Sequence, residues 1–224
     1  MNTYEIEIKS LLGSSENADK LIESMKAGDP AFKSLGKHKQ LNHYFIGGNT
    51  ILLDRNIVDR LPEKKRENFR KIIKSAKDFS VRTRQADNNI LIVIKATVDD
   101  TTSSNGTARI EFESQVDLSL EQLDQILLES GFKYQAKWSR DREEFQFKSL
   151  NVTVDKNAGY GYLAEFEKVI QDPALVDETK TFIRDSMKVL GLEELAQDRL
   201  ERMFAFYNNN WHDYYGTEKV FNID

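Results

Sequence analysis

The sequence predicts an α+β fold in which helices surround one large antiparallel sheet or barrel. Strand-like stretches with an apolar residue at every second position recur along the 224-residue chain, and a period of two marks a strand with one apolar face. Many of these stretches follow one another closely, which favours antiparallel neighbours. The composition, 39% hydrophobic and 31% charged, suits a folded domain.

Ten stretches have the pattern of strands. EIEIK near the N-terminus is the clearest, because Ile6 and Ile8 alternate with Glu5, Glu7 and Lys9. The predicted strands cover residues 3–11, 40–47, 50–54, 79–86, 89–97, 107–116, 132–138, 140–148, 150–156 and 161–170. A barrel of about eight strands would have room inside for side chains or one small ligand.

Helix signals separate the strands. Ser15 can cap a helix over about 16–27, and Pro62 suits the first turn of a helix over about 62–77. The sequence SLEQ at 119–122 has the pattern of a capping box.

The C-terminal part is predicted to be helical. One helix follows Pro173 and ends near Gly191, and the residues after it begin as a helix and continue into the aromatic stretch FAFYNNNWHDYYG. We expect this stretch to pack against the sheet, with a lid or a base-stacking wall as the alternative role. The expected organisation is therefore one domain, with the sheet at 1–170 and a helical segment at 171–224 packed on it.

Composition excludes several kinds of site. The chain has no Cys, which excludes disulfides and thiolate metal ligands, and its three His residues lack the spacing of metal ligands. A bound metal would need carboxylate ligands, as Mg²⁺ or Mn²⁺ prefers. The formal net charge of −5 gives no reason to expect nucleic-acid binding.

Membrane and targeting signals are absent from the sequence pattern. No apolar run reaches the roughly 18 residues that a membrane-spanning helix needs, and the N-terminus lacks the basic region and apolar core of a signal peptide. Together with the lack of Cys, this predicts a cytoplasmic protein with no membrane partner.

Like charges two residues apart recur on the predicted strands. The charged positions are Glu5, Glu7, Lys9, Arg82, Arg84, Lys95, Arg109, Glu111, Glu113, Arg140, Arg142, Asp155, Glu165 and Glu167. Like charges on one strand face repel, and an enclosed interior shared with opposite charges would offset that cost. We therefore expect a charged lumen, with the apolar strand faces covered by the helices. For any single pair, a solvated strand face is the simpler interpretation.

A lumen with charges of both signs suits a polyphosphate that is bound together with a divalent cation. Arg and Lys bind phosphate oxygens directly, whereas carboxylates need a cation between themselves and the phosphate. This favours phosphoryl or nucleotidyl transfer, in which a protein positions the substrate and neutralises its charge. The chain has no GxxxxGK[ST] or GxGxxG loop, which argues against P-loop and Rossmann folds.

The order of these motifs resembles the CYTH superfamily. Its members, the triphosphate tunnel metalloenzymes, include class IV adenylate cyclases, thiamine triphosphatases and inorganic triphosphatases. The ordered match extends from Glu5 to Glu167, and its most specific part is ExExK with a distal ExE. The resemblance implies an eight-stranded antiparallel tunnel with a charged lumen and helices packed outside.

The resemblance also implies roles for the charged residues. The candidate ligands of Mg²⁺ or Mn²⁺ are Glu5, Glu7, Asp155, Glu165 and Glu167. The candidate triphosphate-binding residues are Lys9, Arg82, Arg84, Lys95, Arg140 and Arg142. Arg109, Glu111 and Glu113 would line the tunnel. Lys9 with Tyr44 is similar to a catalytic pair that positions a water or a base in the thiamine triphosphatases.

The chain departs from the family pattern at two places. It has Arg140-Asp-Arg142 where the family has KxR, and Ile-Gly-Gly after HYF where the family often has Asp-Thr-Pro. The second departure leaves the loop after Tyr44 without an assigned role. Two alternatives stay open, namely Tyr44 as a packed aromatic residue and Asp155 as a turn residue.

The resemblance implies an enzyme that acts on a small-molecule triphosphate. A triphosphatase would direct water at the terminal phosphorus, whereas a class IV adenylate cyclase would direct the ribose 3′-hydroxyl of ATP at the α-phosphorus. Both need the same charged residues, and we favour the triphosphatase because it needs nothing more. A non-catalytic module that binds polyphosphate or nucleotide is a further alternative, and a homodimer is compatible with the sequence.

Overall fold

Eight strands and six α-helices form the described part of the chain. The computed structural model describes residues 4–75, 78–97 and 110–223. The strands are β1 (Tyr4–Gly13), β2 (Lys33–Gly47), β3 (Asp78–Ala86), β4 (Asn89–Thr97), β5 (Ile110–Gln115), β6 (Phe132–Phe147), β7 (Leu150–Asn157) and β8 (Gly161–Ile170). The helices are α1 (Ser15–Gly28), α2 (Thr50–Ile57), α3 (Glu63–Ser75), α4 (Leu120–Glu129), α5 (Val176–Val189) and α6 (Gln197–Asn210). In these ranges, no helix combines the length and the apolar character needed to cross a membrane.

The strands form one antiparallel sheet in the order β1-β8-β7-β6-β2-β3-β4-β5. The predicted α+β class and the eight-stranded antiparallel sheet are therefore confirmed. Among the described residues, β1 and β5 are the two edges and do not pair, so the closure into a barrel that the sequence predicts is not found there. The segment after α5 forms hydrogen bonds with the free edge of β1. Leu195 N–H donates to Lys9 O at 2.7 Å, and Ser10 Oγ donates to Glu193 O at 2.7 Å.

The chain divides into two compact units. Of the described residues, the first unit contains 4–38 and 140–223, and the second contains the rest. Strands β2 and β6 contribute residues to both units. The boundary at residue 170 that the sequence suggests stays a prediction.

In the first unit, the apolar side of β1, β6, β7 and β8 packs against α1 and α5. Ile6 and Ile8 of β1 are fully buried in this core, together with Leu21 and Met25 of α1 and Ile183 of α5. Burial of each such side chain contributes about 1.5–3 kcal/mol, so the alternation in EIEIK fixes which side of β1 faces the helices.

In the second unit, the apolar side of β2, β3, β4 and β5 packs against α2, α3 and α4. Val81 and Ile92 of the sheet are fully buried against Leu53 of α2, Phe69 of α3 and Leu123 of α4. Helix α4 begins with the predicted capping box, in which the Ser119 side chain accepts from Gln122 N–H and the Gln122 side chain accepts from Ser119 N–H. Each unit thus has a helix-covered apolar side and an opposite polar side.

The predicted strand at 50–54 is wrong, because these residues belong to α2. The Asn49 side chain accepts hydrogen bonds from the N–H groups of Ile51 and Leu52, at 2.9 and 3.1 Å. An Asn at this position satisfies orphan backbone donors and starts a helix. At α1 the difference from the prediction is one residue, because Ser14 caps the helix instead of the predicted Ser15.

The stretches predicted as two strands, 132–138 and 140–148, form the single strand β6. Tyr134 packs against the core of the second unit, whereas Arg140 lies on the polar side in the first unit, opposite Asn157. Both residues have even numbers, so the alternation changes phase between them. This change of phase makes one strand look like two in the sequence.

The C-terminal tail packs on the turn between β7 and β8 in the first unit. Gly159 N–H donates to Lys219 O at 2.9 Å, and Phe221 N–H donates to Gly159 O at 2.7 Å. The ring of Tyr207, which is fully buried, and the ring of Phe221 lie 5.7 and 5.6 Å from the ring of Tyr160. The aromatic tail therefore contributes to a local core, and a lid role for it stays a prediction.

We expect Gly159→Ala to lower the free energy of unfolding by about 2–4 kcal/mol. Gly159 has φ of +95°, and a Cβ there would lie 2.6 Å from the Tyr207 ring, so overpacking adds to the cost of a left-handed backbone. The matched control is Gly191→Ala, at φ of +72° with no described atom within 4 Å of the added Cβ, which should cost only the backbone term of about 1–2 kcal/mol. Urea denaturation measures both, and equal losses would contradict the packing argument.

Candidate active site

The charged residues of the first unit lie on the side of its strands that is opposite to the apolar core. Residues directly opposite each other on paired strands point to the same side. We call this set the first charged face; it comprises Glu5, Glu7 and Lys9 of β1, Glu165 and Glu167 of β8, Asp155 of β7, and Arg140, Arg142 and Glu144 of β6. The side chains of Lys9 and Arg142 are only 12% exposed. The face is therefore not the solvated surface that any single pair would suggest.

Asp155 is the most buried carboxylate of this face and binds both arginines of β6. Its Oδ1 accepts from Arg142 Nε at 2.7 Å, and its Oδ2 accepts from Arg142 Nη2 at 2.6 Å and from Arg140 Nη1 at 2.8 Å. The two parallel bonds to Arg142 form a bidentate pair, which is the strong form of this contact. Because Asp155 lies inside β7, opposite Arg142, the alternative of a turn residue is wrong.

Glu165 links Arg142 to Lys9. Its Oε2 accepts from Arg142 Nη2 at 2.9 Å, and its Oε1 lies 3.2 Å from Lys9 Nζ. Lys9 also pairs with Glu7, its neighbour two positions away on β1. Burial alone would raise the pKa of Glu165, but Lys9, Arg142 and Arg140 outweigh it and hold this pKa well below the usual value. Glu165 is therefore ionised at neutral pH.

Arg142 is likewise charged at neutral pH. Burial would lower the pKa of Arg142, but its hydrogen bonds to Asp155 and the charges of Glu165, Asp155 and Glu144 raise this pKa above its usual value. A guanidinium that is held by two carboxylates is a planar positive group with a fixed position and orientation. It can bind a phosphate oxygen without first being ordered.

Glu144 belongs to the first charged face but was not among the candidates from the sequence. It lies opposite Thr153 on β7, and Thr153 lies opposite Glu165 on β8. The alternation that identified Arg142 extends to Glu144 two residues later, so the same signal could have found it.

The charged residues of the second unit also lie on the side opposite to its core. We call this set the second charged face; its described members are Asn42 and Tyr44 of β2, Arg82 and Arg84 of β3, Lys95 of β4, and Glu113 of β5. Glu111 lies opposite Lys95 in the register of β4 and β5. The side chain of Glu111 and the whole of Arg109 fall outside what the structure describes, so their predicted role as lining residues stays untested.

Hydrogen bonds across the strands orient both arginines of the second charged face. Arg84 donates from Nε to Asn42 Oδ1 and from Nη1 to Glu113 Oε2, each at 2.9 Å. Arg82 Nη1 donates to Tyr44 OH at 2.8 Å, and its guanidinium carbon lies 5.5 Å from the centre of the Tyr44 ring. Tyr44 therefore packs as an aromatic residue and also binds Arg82.

The Tyr44 ring has a second aromatic neighbour, Trp138, at 6.2 Å between ring centroids in an edge-to-face arrangement. Lys9 and Tyr44 belong to different units. Their action as a catalytic pair, which the resemblance implies, stays a prediction.

The donor chemistry of the first charged face fits a hard divalent cation. This face carries six carboxylates but only three cationic side chains, and carboxylate oxygens are the ligands that Mg²⁺ and Mn²⁺ prefer. Glu7 and Glu167 lie directly opposite each other on β1 and β8, a like-charge pair that an added cation would stabilise. In the part of the chain that the structure describes, no three carboxylate or imidazole side chains already converge as a metal-binding group.

Known proteins are similar to this chain in sequence and in fold. No family model matches the chain. A protein from Methanocaldococcus jannaschii, described as a candidate adenylate cyclase, is 25% identical over 198 residues that cover 88% of this chain and 94% of that protein.

Solved structures with a similar fold come from distant organisms. A conserved hypothetical protein from Pyrococcus furiosus has a TM-score of 0.61 at 19% identity, covering 84% of this chain and 91% of that one. A candidate adenylate cyclase from Vibrio parahaemolyticus also has a TM-score of 0.61, at 12% identity and with 92% and 99% covered. A Hippeastrum protein, described as a candidate adenylyl cyclase with a dominant triphosphatase activity, has a TM-score of 0.50 at 16% identity, with 85% and 89% covered.

These likenesses, the eight-stranded sheet and the ordered motifs from Glu5 to Glu167 agree with one another. The resemblance to the CYTH superfamily that the sequence predicts is therefore confirmed.

Proposed function

We propose that this protein hydrolyses a triphosphate in a reaction that depends on a divalent cation. The relatives support an activity on triphosphates, since one is described as a candidate adenylate cyclase and another as having dominant triphosphatase activity. The substrate class we propose is inorganic triphosphate, a nucleoside triphosphate or thiamine triphosphate. The reaction adds water to the terminal phosphorus and breaks its bond to the bridging oxygen, which releases orthophosphate and a diphosphate.

One observation carries this proposal, namely the protected chain of alternating charges Lys9, Glu165, Arg142 and Asp155. Its contacts are between 2.6 and 3.2 Å long. Keeping such a chain away from water costs free energy, and we infer that the chain is retained because a ligand binds to it. A polyphosphate with a divalent cation presents both signs of charge at a spacing of a few ångströms, so it can pair with the cations and the carboxylates together.

The cationic side chains bind the phosphate oxygens in this proposal. Lys9, Arg140 and Arg142 do so on the first charged face, and Arg82, Arg84 and Lys95 do so on the second. Arg142 and Arg84 are already oriented by hydrogen bonds, so little side-chain entropy is lost when they bind phosphate. Fixed positive charges also stabilise the negative charge that develops on the phosphoryl oxygens.

The carboxylates hold the cation in this proposal. Glu5, Glu7, Asp155, Glu165 and Glu167 are the candidate ligands, and the bound cation would polarise a phosphoryl oxygen and lower the pKa of water. The pKa of Glu165 lies well below its usual value, so this group is available as an anion over the neutral range. The proton released from water leaves to the solvent.

A class IV adenylate cyclase is the second candidate, and the description of the Methanocaldococcus relative favours it. In that reaction the ribose 3′-hydroxyl of ATP bonds to the α-phosphorus and pyrophosphate leaves. The aromatic pair of Tyr44 and Trp138 beside Arg82 offers rings against which a nucleobase can stack.

A product assay separates these functions. The protein is incubated with Mg²⁺ or Mn²⁺ and with tripolyphosphate, ATP or thiamine triphosphate, and orthophosphate, pyrophosphate and cyclic AMP are resolved. We expect orthophosphate and a diphosphate, and we expect EDTA to abolish their formation because the carboxylates alone cannot approach the phosphate.

Each of the other outcomes has a definite meaning. Cyclic AMP and pyrophosphate from ATP would favour the cyclase. Binding of tripolyphosphate without any product would favour a non-catalytic module. Equal rates with and without EDTA would contradict the proposed dependence on a cation.

A further inference from the structure

A buried carboxylate, Asp124 of α4, binds three adjacent strands of the sheet in the second unit. Its Oδ2 lies 2.6 Å from His43 Nδ1 of β2 and accepts from Tyr134 OH of β6 at 2.7 Å, and its Oδ1 accepts from Thr83 Oγ1 of β3 at 2.6 Å. The strands β6, β2 and β3 are consecutive in the sheet. Asp124 and His43 are only 4% and 5% exposed and Thr83 is fully buried. Together with the half-buried Tyr134, these residues form what we call the Asp124 cluster.

The Asp124 carboxylate is ionised, and the three neighbouring groups donate to it. Burial would raise the pKa of Asp124, but the hydrogen bonds from His43, Thr83 and Tyr134 hold it below its usual value. An ionised carboxylate only accepts, so His43 carries a proton on Nδ1. Hydrogen bonds to a charged acceptor are about twice as strong as neutral ones, and all three donors therefore depend on this single charge.

The Asp124 cluster lies directly behind the second charged face. His43 stands between Asn42 and Tyr44 on β2, and Thr83 stands between Arg82 and Arg84 on β3. Because neighbouring residues of a strand point to opposite sides, a side chain held on the core side also fixes the two beside it on the polar side. A shift of one residue would exchange the two sides of the strand.

We propose that Asp124 is a positioning residue for the anion-binding arginines, acting through His43 and Thr83. The helix carboxylate holds β2 and β3 so that Tyr44 and Arg82 meet at 2.8 Å and Asn42 and Arg84 meet at 2.9 Å. This inference rests on the proposed function for its consequence in triphosphate binding. The inference that Asp124 sets the arrangement of the second charged face does not depend on the proposed function.

The test compares Asp124→Asn with the wild-type chain in steady-state kinetics on tripolyphosphate. Asn keeps the volume, but its NH₂ group cannot accept, so at least one donor of the cluster loses its partner. A misplacement of about 1 Å costs up to about 100-fold in an enzyme, and we expect KM to rise about 10- to 100-fold with a smaller fall in kcat. Thr83→Val and Tyr134→Phe, which each remove one donor, should shift KM in the same direction and keep the test available if Asp124→Asn does not fold.

Asp29→Asn is the matched control. Asp29 is also a buried carboxylate that accepts two hydrogen bonds, from the N–H groups of Ala31 and Lys148, but it lies in the first unit and on neither charged face. A merely structural role for Asp124 predicts that both Asn variants lower Tm and leave KM unchanged. An unchanged KM in all the variants of the Asp124 cluster would overturn the inference.

A fluorescence measurement tests whether Asp124 sets this arrangement even if the wild-type chain fails to bind tripolyphosphate, in which case the proposed function itself has failed. The chain has two Trp residues, so Trp211→Phe leaves Trp138, which touches the Tyr44 ring, as the only fluorophore of its kind. In this background we expect Asp124→Asn to shift the Trp138 emission and Asp29→Asn to leave it in place. Identical emission in both variants and the parent would overturn the positioning role.

Discussion

Glu165→Gln should lower the rate of triphosphate turnover by about 10²–10³-fold, the effect of removing one key electrostatic group from an active site. Gln keeps the volume of Glu165 and can still accept a hydrogen bond from Arg142, so the change is mainly the loss of one negative charge. That charge is what a divalent cation would need. Lys9 and Arg142 keep their positive charges, and binding of tripolyphosphate should therefore persist. Orthophosphate release with Mn²⁺ measures the rate, and isothermal titration calorimetry measures the binding.

Glu143→Gln is the control for this variant. Glu143 is a neighbouring carboxylate that lies on the opposite side of β6, where it pairs with the exposed Lys37 at 2.8 Å. Its loss should leave turnover unchanged, because exposed ion pairs contribute little. If Glu165→Gln turned over triphosphate as fast as Glu143→Gln, the carboxylates of the first charged face would not serve catalysis, and the non-catalytic module would become the better description.

Asp155→Ala should lower the free energy of unfolding by about 3–5 kcal/mol, the usual cost of removing one partner from a buried ion pair. Asp155 has no exposed surface, and it neutralises both Arg140 and Arg142 at 2.6 to 2.8 Å. Without it, two guanidinium groups lose their most buried counter-charge in a site with little water. Urea denaturation of the variant and the parent measures the difference.

The two arginines should also make Asp155→Ala unusually responsive to anions. We expect tripolyphosphate to raise the Tm of this variant more than that of the parent, because the added anion takes the place of the missing carboxylate. The control is Asp198→Ala, which breaks the exposed pair with Arg202 and should change neither the stability nor the response to anions appreciably. A variant at Asp155 that is as stable as the control would show that its bidentate pair contributes nothing to the fold.

Much of the fold was predictable because local signals and the packed structure agree. The alternation in EIEIK places Ile6 and Ile8 in the core, and the SLEQ pattern forms the capping box of α4. The stretch at 50–54 was not predictable from its apolar residues, because a short apolar run is compatible with both a strand and a helix. There the Asn49 cap, one residue before the run, decides the outcome.

For the candidate site, the sequence predicts the side of the strand on which each charged residue lies. It does not predict the residue with which each one pairs. The period of two assigns Arg82, Arg84, Arg140 and Arg142 to the polar sides of their strands, but it cannot say which carboxylate each one meets. That depends on the register between strands that are distant in the chain, as between Arg142 and Asp155 or Arg84 and Glu113. The Asp124 cluster was invisible for the same reason, since its four members come from four elements and no short motif joins them.

The backbone bond from Leu195 to Lys9 gives the segment between α5 and α6 a role that its sequence alone does not indicate. This segment covers part of the free edge of β1, whose amide and carbonyl groups would otherwise offer a template to another extended chain. A version of the protein shortened at residue 170 would uncover that edge beside Lys9, a proposed phosphate-binding residue. We expect such a shortened chain to self-associate through the exposed backbone groups of β1.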